Sequence, residues 1–327
     1  MTVDRRRLVS IVVPVYDSPS LEALTVAIDA VFRDAADDYE IVFVDDASPN
    51  ERVWPALERL ARRSSSVRAL QLTRNFGQQP ATLCGLREAR GDVVITMDDD
   101  LQHDPADLPL LLSRADHDIV IAQFERKEHG LLRRLASRAK GFFDEILIGK
   151  PKGLQLSSFR LLSRTTVEGI LSIRTPNPFL PALMFHVSKD VVGVPVRHAP
   201  RAGGRSGYTP RKLLRLFSNL VINNSSLLLR GVAAAGILFA FSSFVLAAIV
   251  IYRKLADKVA VQGWTSLMAA VLLTGGLLLV SVGIMGEYLI RIIQSAEARP
   301  TYFVRRRAAA SEADDRVDDT LSVLSAQ

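Results

Sequence analysis

Short apolar runs alternate with amphipathic stretches through residues 8–124 of the chain. Residues 8–15, 40–44, 67–72, 93–97 and 118–122 are nearly continuous in β-branched and other apolar side chains, the pattern of strands buried on both faces. Between them, residues 21–33, 51–62, 79–90 and 106–114 carry apolar positions at helical spacing. Strands alternating with helices in this way predict an α/β domain, a mostly parallel sheet with both faces covered. An alternating run at 191–199 predicts one more strand.

Beyond residue 208 the pattern changes. Residues 209–229 set Leu213, Leu216, Phe217 and Leu220 against Arg211, Lys212 and Arg215, which is the spacing of a helix lying in a membrane interface. Residues 232–252 and 264–286 then run for 21 and 23 positions without a charged side chain. Each meets the roughly 20 residues needed to cross a bilayer. The expected organisation is an α/β domain over 1–208, with a basic amphipathic interface segment at about 130–148, and an interfacial helix over 209–230. A two-helix transmembrane hairpin follows over 231–293 (spans 232–252 and 264–290), then a tail over 294–327 whose small, polar end is expected to be disordered.

Charge orients the hairpin. Its short loop holds Arg253, Lys254 and Lys258, whereas the flanks hold Arg211, Lys212, Arg215 and Arg230 before it and Arg291, Arg299 and Arg305 to Arg307 after it. The excess of basic residues on the flanks places the α/β domain and the tail on the cytoplasmic side of the cell (inner) membrane. The net charge of +6 carries no helix-turn-helix, zinc knuckle or aromatic-interleaved basic stripe, so it points to a lipid surface and away from nucleic acid. Arg5-Arg6-Arg7 ahead of an apolar run mimics a signal peptide, but Pro14 and Asp17 interrupt it, and the run reads as a first strand. The single cysteine, Cys84, excludes an intramolecular disulfide framework and reads as a small core residue.

The chemistry collects at strand ends. Val93-Val94-Ile95-Thr96-Met97 drives into Asp98-Asp99-Asp100-Leu101-Gln102-His103-Asp104. In α/β sheets such ends open into the ligand cleft. Carboxylates gathered there repel one another, and an all-oxygen set favours a hard cation, Mg2+ or Mn2+. The 40–44 strand likewise runs into Asp45-Asp46-Ala47-Ser48, and the first strand ends at Tyr16-Asp17-Ser18. Asp46 and Ser48 suit either nucleotide contacts or turn and helix-cap chemistry. A G-x-G-x-x-G fingerprint is absent, which disfavours an ordinary dinucleotide fold. The loop Thr73-Arg74-Asn75-Phe76-Gly77-Gln78 joins a fixed cation to amides, and Arg160 amid hydroxyls suits a phosphate held by a forked donor. Arg201-Ala202-Gly203-Gly204-Arg205-Ser206-Gly207 reads as a cationic loop able to close over an anion.

In their order and spacing these stretches, together with Gly286-Glu287-Tyr288 and Arg299-Pro300-Thr301-Tyr302-Phe303, resemble the family 2 glycosyltransferases. More narrowly, the chain is similar to the polyprenyl-phosphate glycosyltransferases, relatives of dolichol-phosphate mannose synthase with two C-terminal spans. The resemblance implies a glycosyltransferase A fold and Mg2+ or Mn2+ at Asp98 and Asp100. It implies inverting transfer from a nucleotide sugar, a UDP-sugar first, to a polyprenyl phosphate such as undecaprenyl phosphate, giving a lipid-linked sugar for cell-envelope glycans. It places Asp100, Gln102 and Arg160 in the catalytic set. It places Pro14, Tyr16, Asp17, Asp46, Arg74, Asn75, Asp98, Asp99, Arg201, Arg205 and Ser206 around the donor. Some members form homo-oligomers, and nothing in this chain fixes a number.

Two departures stand out. Some relatives carry a carboxylate, proposed as a base, where this chain has Ser157 and Ser158 before Phe159-Arg160-Leu161. Others carry Lys or Asn where Gly207 follows Ser206. Two readings compete with lipid-phosphate glycosyl transfer: another membrane lipid as acceptor, or a non-catalytic membrane scaffold. A processive polysaccharide synthase would need a Gln-x-x-Arg-Trp-type motif, which the chain lacks.

Overall fold

The computed structural model describes residues 6–124, 148–175, 178–196, 263–296 and 300–310, with isolated positions at 238, 241, 242 and 245. Strand β1 (Leu8–Val15) lies near the middle of an eight-stranded sheet. Its Val9, Ile11, Val12 and Val13 are fully buried, because helices cover both faces and leave no solvent side for a polar residue. β2 (Asp38–Asp45) pairs with it in parallel and β3 (Val67–Leu72) pairs in parallel with β2. The chain then crosses back to lay β4 (Val93–Thr96) in parallel on the other flank of β1. This reversal of strand order is where open α/β sheets bind their ligands.

β5 (Ile119–Phe124), β6 (Arg160–Ser163), β7 (Val191–Val196) and β8 (Val304–Ala308) complete the order β7-β5-β6-β4-β1-β2-β3-β8. β6 runs antiparallel between β4 and β5, and β8 runs antiparallel along β3. The mostly parallel α/β sheet expected from the sequence is therefore present, with two antiparallel strands added. Within the expected tail, residues 304–308 form one of the sheet's two edge strands.

Helices α1 (Leu21–Phe32), α2 (Val53–Arg63), α3 (Gln78–Glu88) and α4 (Leu108–Leu112) fill the connections. The helix expected over 106–114 is a short 3-10 turn, Pro105–Asp107, followed by the brief α4. α3 presses directly on the sheet. A methyl group added at Gly85 would meet Val12 Cγ1 at 2.3 Å. Val12 is β-branched and fully buried, so it has little freedom to turn aside. Gly85→Ala should cost about 1–3 kcal/mol through overpacking, read as a lower Tm; an unchanged melt would show that the helix can lift off. Cys84 on the same helix is fully buried, and burial pushes its thiol up to about 12, in keeping with a core residue.

A second unit comprises residues 206–299. Within it one helix, Trp264–Ala296, runs for 33 residues and covers the stretch expected as the second span. Many side chains of that helix fall outside the description, and among the described residues no helix is long and apolar enough to cross a membrane. Most of the first expected span, nearly all of the segment at 130–148, the helix at 209–230 and the end of the tail beyond 310 lie outside the described residues.

Candidate functional site

At the C-terminal edge of the parallel strands lies a cleft of about 380 Å³, lined by Pro14, Val15, Tyr16, Asp46, Asn75, Gly77, Gln78, Ala81 and Asp98 to Asp100. It sits where β1 and β4 part, as the reversal of strand order requires. Three non-glycine residues take left-handed backbone conformations immediately beyond these strands: Asp17 (φ 57°), Ala47 (φ 54°) and Leu101 (φ 58°). Such conformations cost energy and persist where the surroundings hold them, which is common around ligand sites.

The three consecutive aspartates have different surroundings. Asp98 is clamped: Gln78 Nε2 donates to its Oδ1 at 2.7 Å and Ser158 Oγ to its Oδ2 at 2.7 Å. Its backbone N–H donates to His103 Nδ1 at 3.0 Å, and the His103 ring lies between Phe159 and Phe124. Asp99 turns toward β1, where Tyr16 N–H reaches its Oδ2 at 3.3 Å and Ser18 Oγ donates to its carbonyl. Burial pushes the Asp99 carboxyl up to about 6, and the neighbouring Asp98 and Asp100 push the same way. Asp100 accepts from the backbone N–H of Gln102 at 3.1 Å and leaves the rest of its carboxylate facing the cleft. Asp100 thus keeps oxygen capacity that Asp98 has already spent on Gln78 and Ser158.

Asp46 both holds backbone amides and lines the cleft. Its two oxygens accept the N–H groups of Phe76 and Gly77, each at 2.7 Å, and it also lines the cleft. Burial raises its pKa, and the two backbone donors hold it down in part. Gly77 has φ +99° with open space around its Cβ position, so backbone conformation and not crowding selects glycine there. Ser48 belongs to the turn: it donates both N–H and O–H to Asp45 Oδ1.

Arg160 begins β6 directly opposite Thr96 and is 4% exposed. Its Nε donates to Thr96 Oγ1 at 3.2 Å and one terminal nitrogen donates to Met184 Sδ at 3.2 Å. A thioether is a weak acceptor, so this guanidinium keeps donor capacity that an anion could use. Burial lowers its pKa to about 10, while the charge of Asp98 works against that.

The structure therefore gathers Pro14, Tyr16, Asp46, Asn75, Asp98, Asp99 and Asp100 around one cleft. Gln102 adjoins it through its backbone. Asp17 sits on the turn beside Tyr16, its N–H bonded to Ser48 Oγ. Arg74 stacks over the Phe76 ring at 4.2 Å. Arg160 is buried behind the aspartates and is not among the lining residues. Arg201, Arg205 and Ser206 lie outside the described residues. Gln78, His103 and the clamping role of Ser158 were not foreseen; all three stand within motifs picked out from the sequence, but their contacts join segments up to 60 positions apart.

The lining holds four carboxylates and no lysine or arginine among the described residues. That all-oxygen set fits Mg2+ or Mn2+. No three His, Cys, Asp or Glu side chains among the described residues converge as a ready-made cage. An ion here would draw on one or two carboxylates and complete its shell from outside the protein, as Mg2+ commonly does.

Residues 10–170 match the model of glycosyl transferase family 2. The chain is 31% identical over 314 residues to an undecaprenyl-phosphate 4-deoxy-4-formamido-L-arabinose transferase of Edwardsiella ictaluri, covering 94% of this chain and 97% of that protein. A protein of the same description from Pseudomonas paraeruginosa is 34% identical, with 93% and 92% covered. Among solved structures, glucosyl-3-phosphoglycerate synthase from Mycobacterium tuberculosis, in complex with Mn2+, uridine diphosphate and glucosyl-3-phosphoglycerate, aligns over 66% of this chain and 78% of that one. The TM-score there is 0.48 and the identity 16%. With similarity running over nearly its whole length, the chain belongs to glycosyl transferase family 2.

Proposed function

We propose that this protein transfers a sugar from a nucleotide-sugar donor to a polyprenyl phosphate, making a lipid-linked sugar for cell-envelope glycans. The observation that carries the reading is the carboxylate-lined cleft at the reversal of strand order, with the buried Arg160 guanidinium behind it. Near-full-length similarity to relatives described as undecaprenyl-phosphate transferases supports the lipid acceptor.

The chemistry follows from the charges. A lipid monophosphate, with a second pKa near 6 by analogy with phosphorylated side chains, is largely ionised at neutral pH and needs no protein base. Ser157 and Ser158 fit that economy: Ser157 Oγ accepts from Phe159 N–H and Ser158 Oγ donates to Asp98, so both hold the loop. An acceptor oxygen attacks the anomeric carbon as the bond to the diphosphate oxygen breaks, and the diphosphate leaves with the electron pair. Displacement in line inverts the anomeric centre. Arg160 orients the acceptor phosphate, a contribution of proximity and alignment. Asp100, with Asp98, would hold Mg2+ or Mn2+, which when bound supplies Lewis-acid charge at the departing diphosphate.

Membrane attachment through two spans, with the catalytic domain cytoplasmic, belongs to the same proposal. The helix Trp264–Ala296 is about 50 Å long at 1.5 Å per residue, more than the hydrocarbon core of a bilayer. Leu267, Val271, Leu278, Val282, Met285 and Leu289 share one of its faces and are exposed, as lipid-facing side chains would be.

Nucleoside diphosphate release by the detergent-purified protein tests the reading, using Mn2+ or Mg2+ and a panel of nucleotide sugars, each with and without undecaprenyl phosphate. Release from one donor only when the lipid is present is expected. Equal release without lipid would mean hydrolysis or another acceptor.

A further inference from the structure

Arg306 lies on β8, far from the cleft in sequence, yet a run of polar contacts leads from it to the cleft turns. Its Nε donates to Gln71 Oε1 at 2.7 Å, and Gln71 Nε2 donates to Asp45 Oδ2 at 2.6 Å. Asp45 Oδ1 receives both the N–H and the O–H of Ser48, and Ser48 Oγ in turn receives the N–H of Asp17 at 2.9 Å. The run leads from the middle of β8 across the ends of β3, β2 and β1 and finishes at the turns where Ala47 and Asp17 hold left-handed conformations. Asp46, next to Asp45, holds the Phe76 and Gly77 amides on the cleft wall.

Each link is fixed in polarity. A carboxylate only accepts and a guanidinium only donates, so the amide between them must turn its nitrogen to Asp45 and its oxygen to Arg306. Flipping Gln71 would set oxygen against carboxylate. Gln71 is 7% exposed under the exposed Arg306 side chain, and Asp45 is fully buried, so Asp45 cannot replace a lost Gln71 donor freely with water. Arg306 is itself located from two sides. Its guanidinium lies 4.8 Å from the Trp54 ring centroid on α2, and the β3–β8 register shifts between Gln71 and Leu72, so that Arg306 faces Gln71 while Val304 faces Leu72. The segment just before β8 is tied to the same wall, with Thr73 N–H donating to Phe303 O and the Phe303 ring tilted against Phe76.

We propose that Arg306 is a positioning residue for the donor cleft, acting through Gln71 and Asp45 on the turns at Ser48 and Asp17. This rests on the nucleotide-sugar reading of the cleft given above. It makes the strand that follows the Trp264–Ala296 helix part of the donor site's framework.

The test uses the full-length purified protein with Arg306→Ala, Arg306→Lys and, as a control on the same strand, Arg307→Ala, whose parent side chain pairs with Glu88 instead. Amide hydrogen exchange without ligand reads the turns directly, because the Asp17 and Ser48 amides are links of the run. Arg306→Ala should speed exchange at Asp17 and Ser48 and weaken uridine diphosphate binding, each by about tenfold, with Arg306→Lys recovering part of both. Arg307→Ala should leave both as in the parent. Exchange and affinity in Arg306→Ala that match the Arg307→Ala control would overturn the proposal. Faster exchange in a protein whose parent binds no nucleoside diphosphate at all would overturn the donor-cleft reading, and Arg306's role in donor binding with it.

Discussion

Asp100→Ala is expected to lower lipid-dependent nucleoside diphosphate release by about a thousandfold or more while the protein stays folded. The size follows from what the carboxylate would hold: a divalent cation facing the departing diphosphate supplies several kcal/mol, and each 1.4 kcal/mol is a factor of ten in rate. The small structural cost follows from its contacts. Asp100 is half-buried and accepts the Gln102 N–H, so its loss should lower stability by only about 1 kcal/mol. Asp98 is the contrast, because Gln78 and Ser158 already occupy its two oxygens. Turnover and a thermal melt measured on the same preparation separate the two effects. Full activity with an unchanged melt would remove Asp100 from the site.

Arg160→Lys should cost about a hundredfold in kcat, with the KM for the nucleotide sugar little changed and that for the lipid phosphate raised. Lysine keeps a charge but not the planar fork, and its shorter, rotating ammonium cannot both meet Thr96 Oγ1 and point donors at a phosphate. Misplacing a reacting group by about 1 Å is enough for a loss of that order. Arg160→Met should lose more, because it also takes away a buried cation whose charge interacts with Asp98. Steady-state kinetics with each substrate varied in turn would show the split. A rise confined to the donor's KM would instead place the guanidinium on the nucleotide side.

The strands around the cleft were legible because each is a β-branched run that ends abruptly in aspartate, and a strand covered on both faces leaves no other pattern. β6 was not, since it is four residues long and opens on Arg160, a charge that only its tertiary surroundings explain. β8 was hidden for a different reason. An edge strand pairs on one side and turns charge outward, so Val304-Arg305-Arg306-Arg307-Ala308 looks like the basic flank of a membrane span. In the cleft, the residue types were readable but their division of labour was not. The sequence shows three aspartates in a row; Gln78, Ser158 and His103, which distinguish Asp98 from Asp100, reach it through tertiary contacts.

The nature of the lipid product bears most directly on the proposed reaction. Mass spectrometry of the lipid fraction, with proton NMR of the anomeric centre, should show one sugar on the polyprenyl phosphate oxygen with a configuration opposite to that in the donor. Unmodified lipid beside released nucleoside diphosphate, or a sugar attached with the donor's configuration retained, would contradict direct in-line transfer to the lipid phosphate.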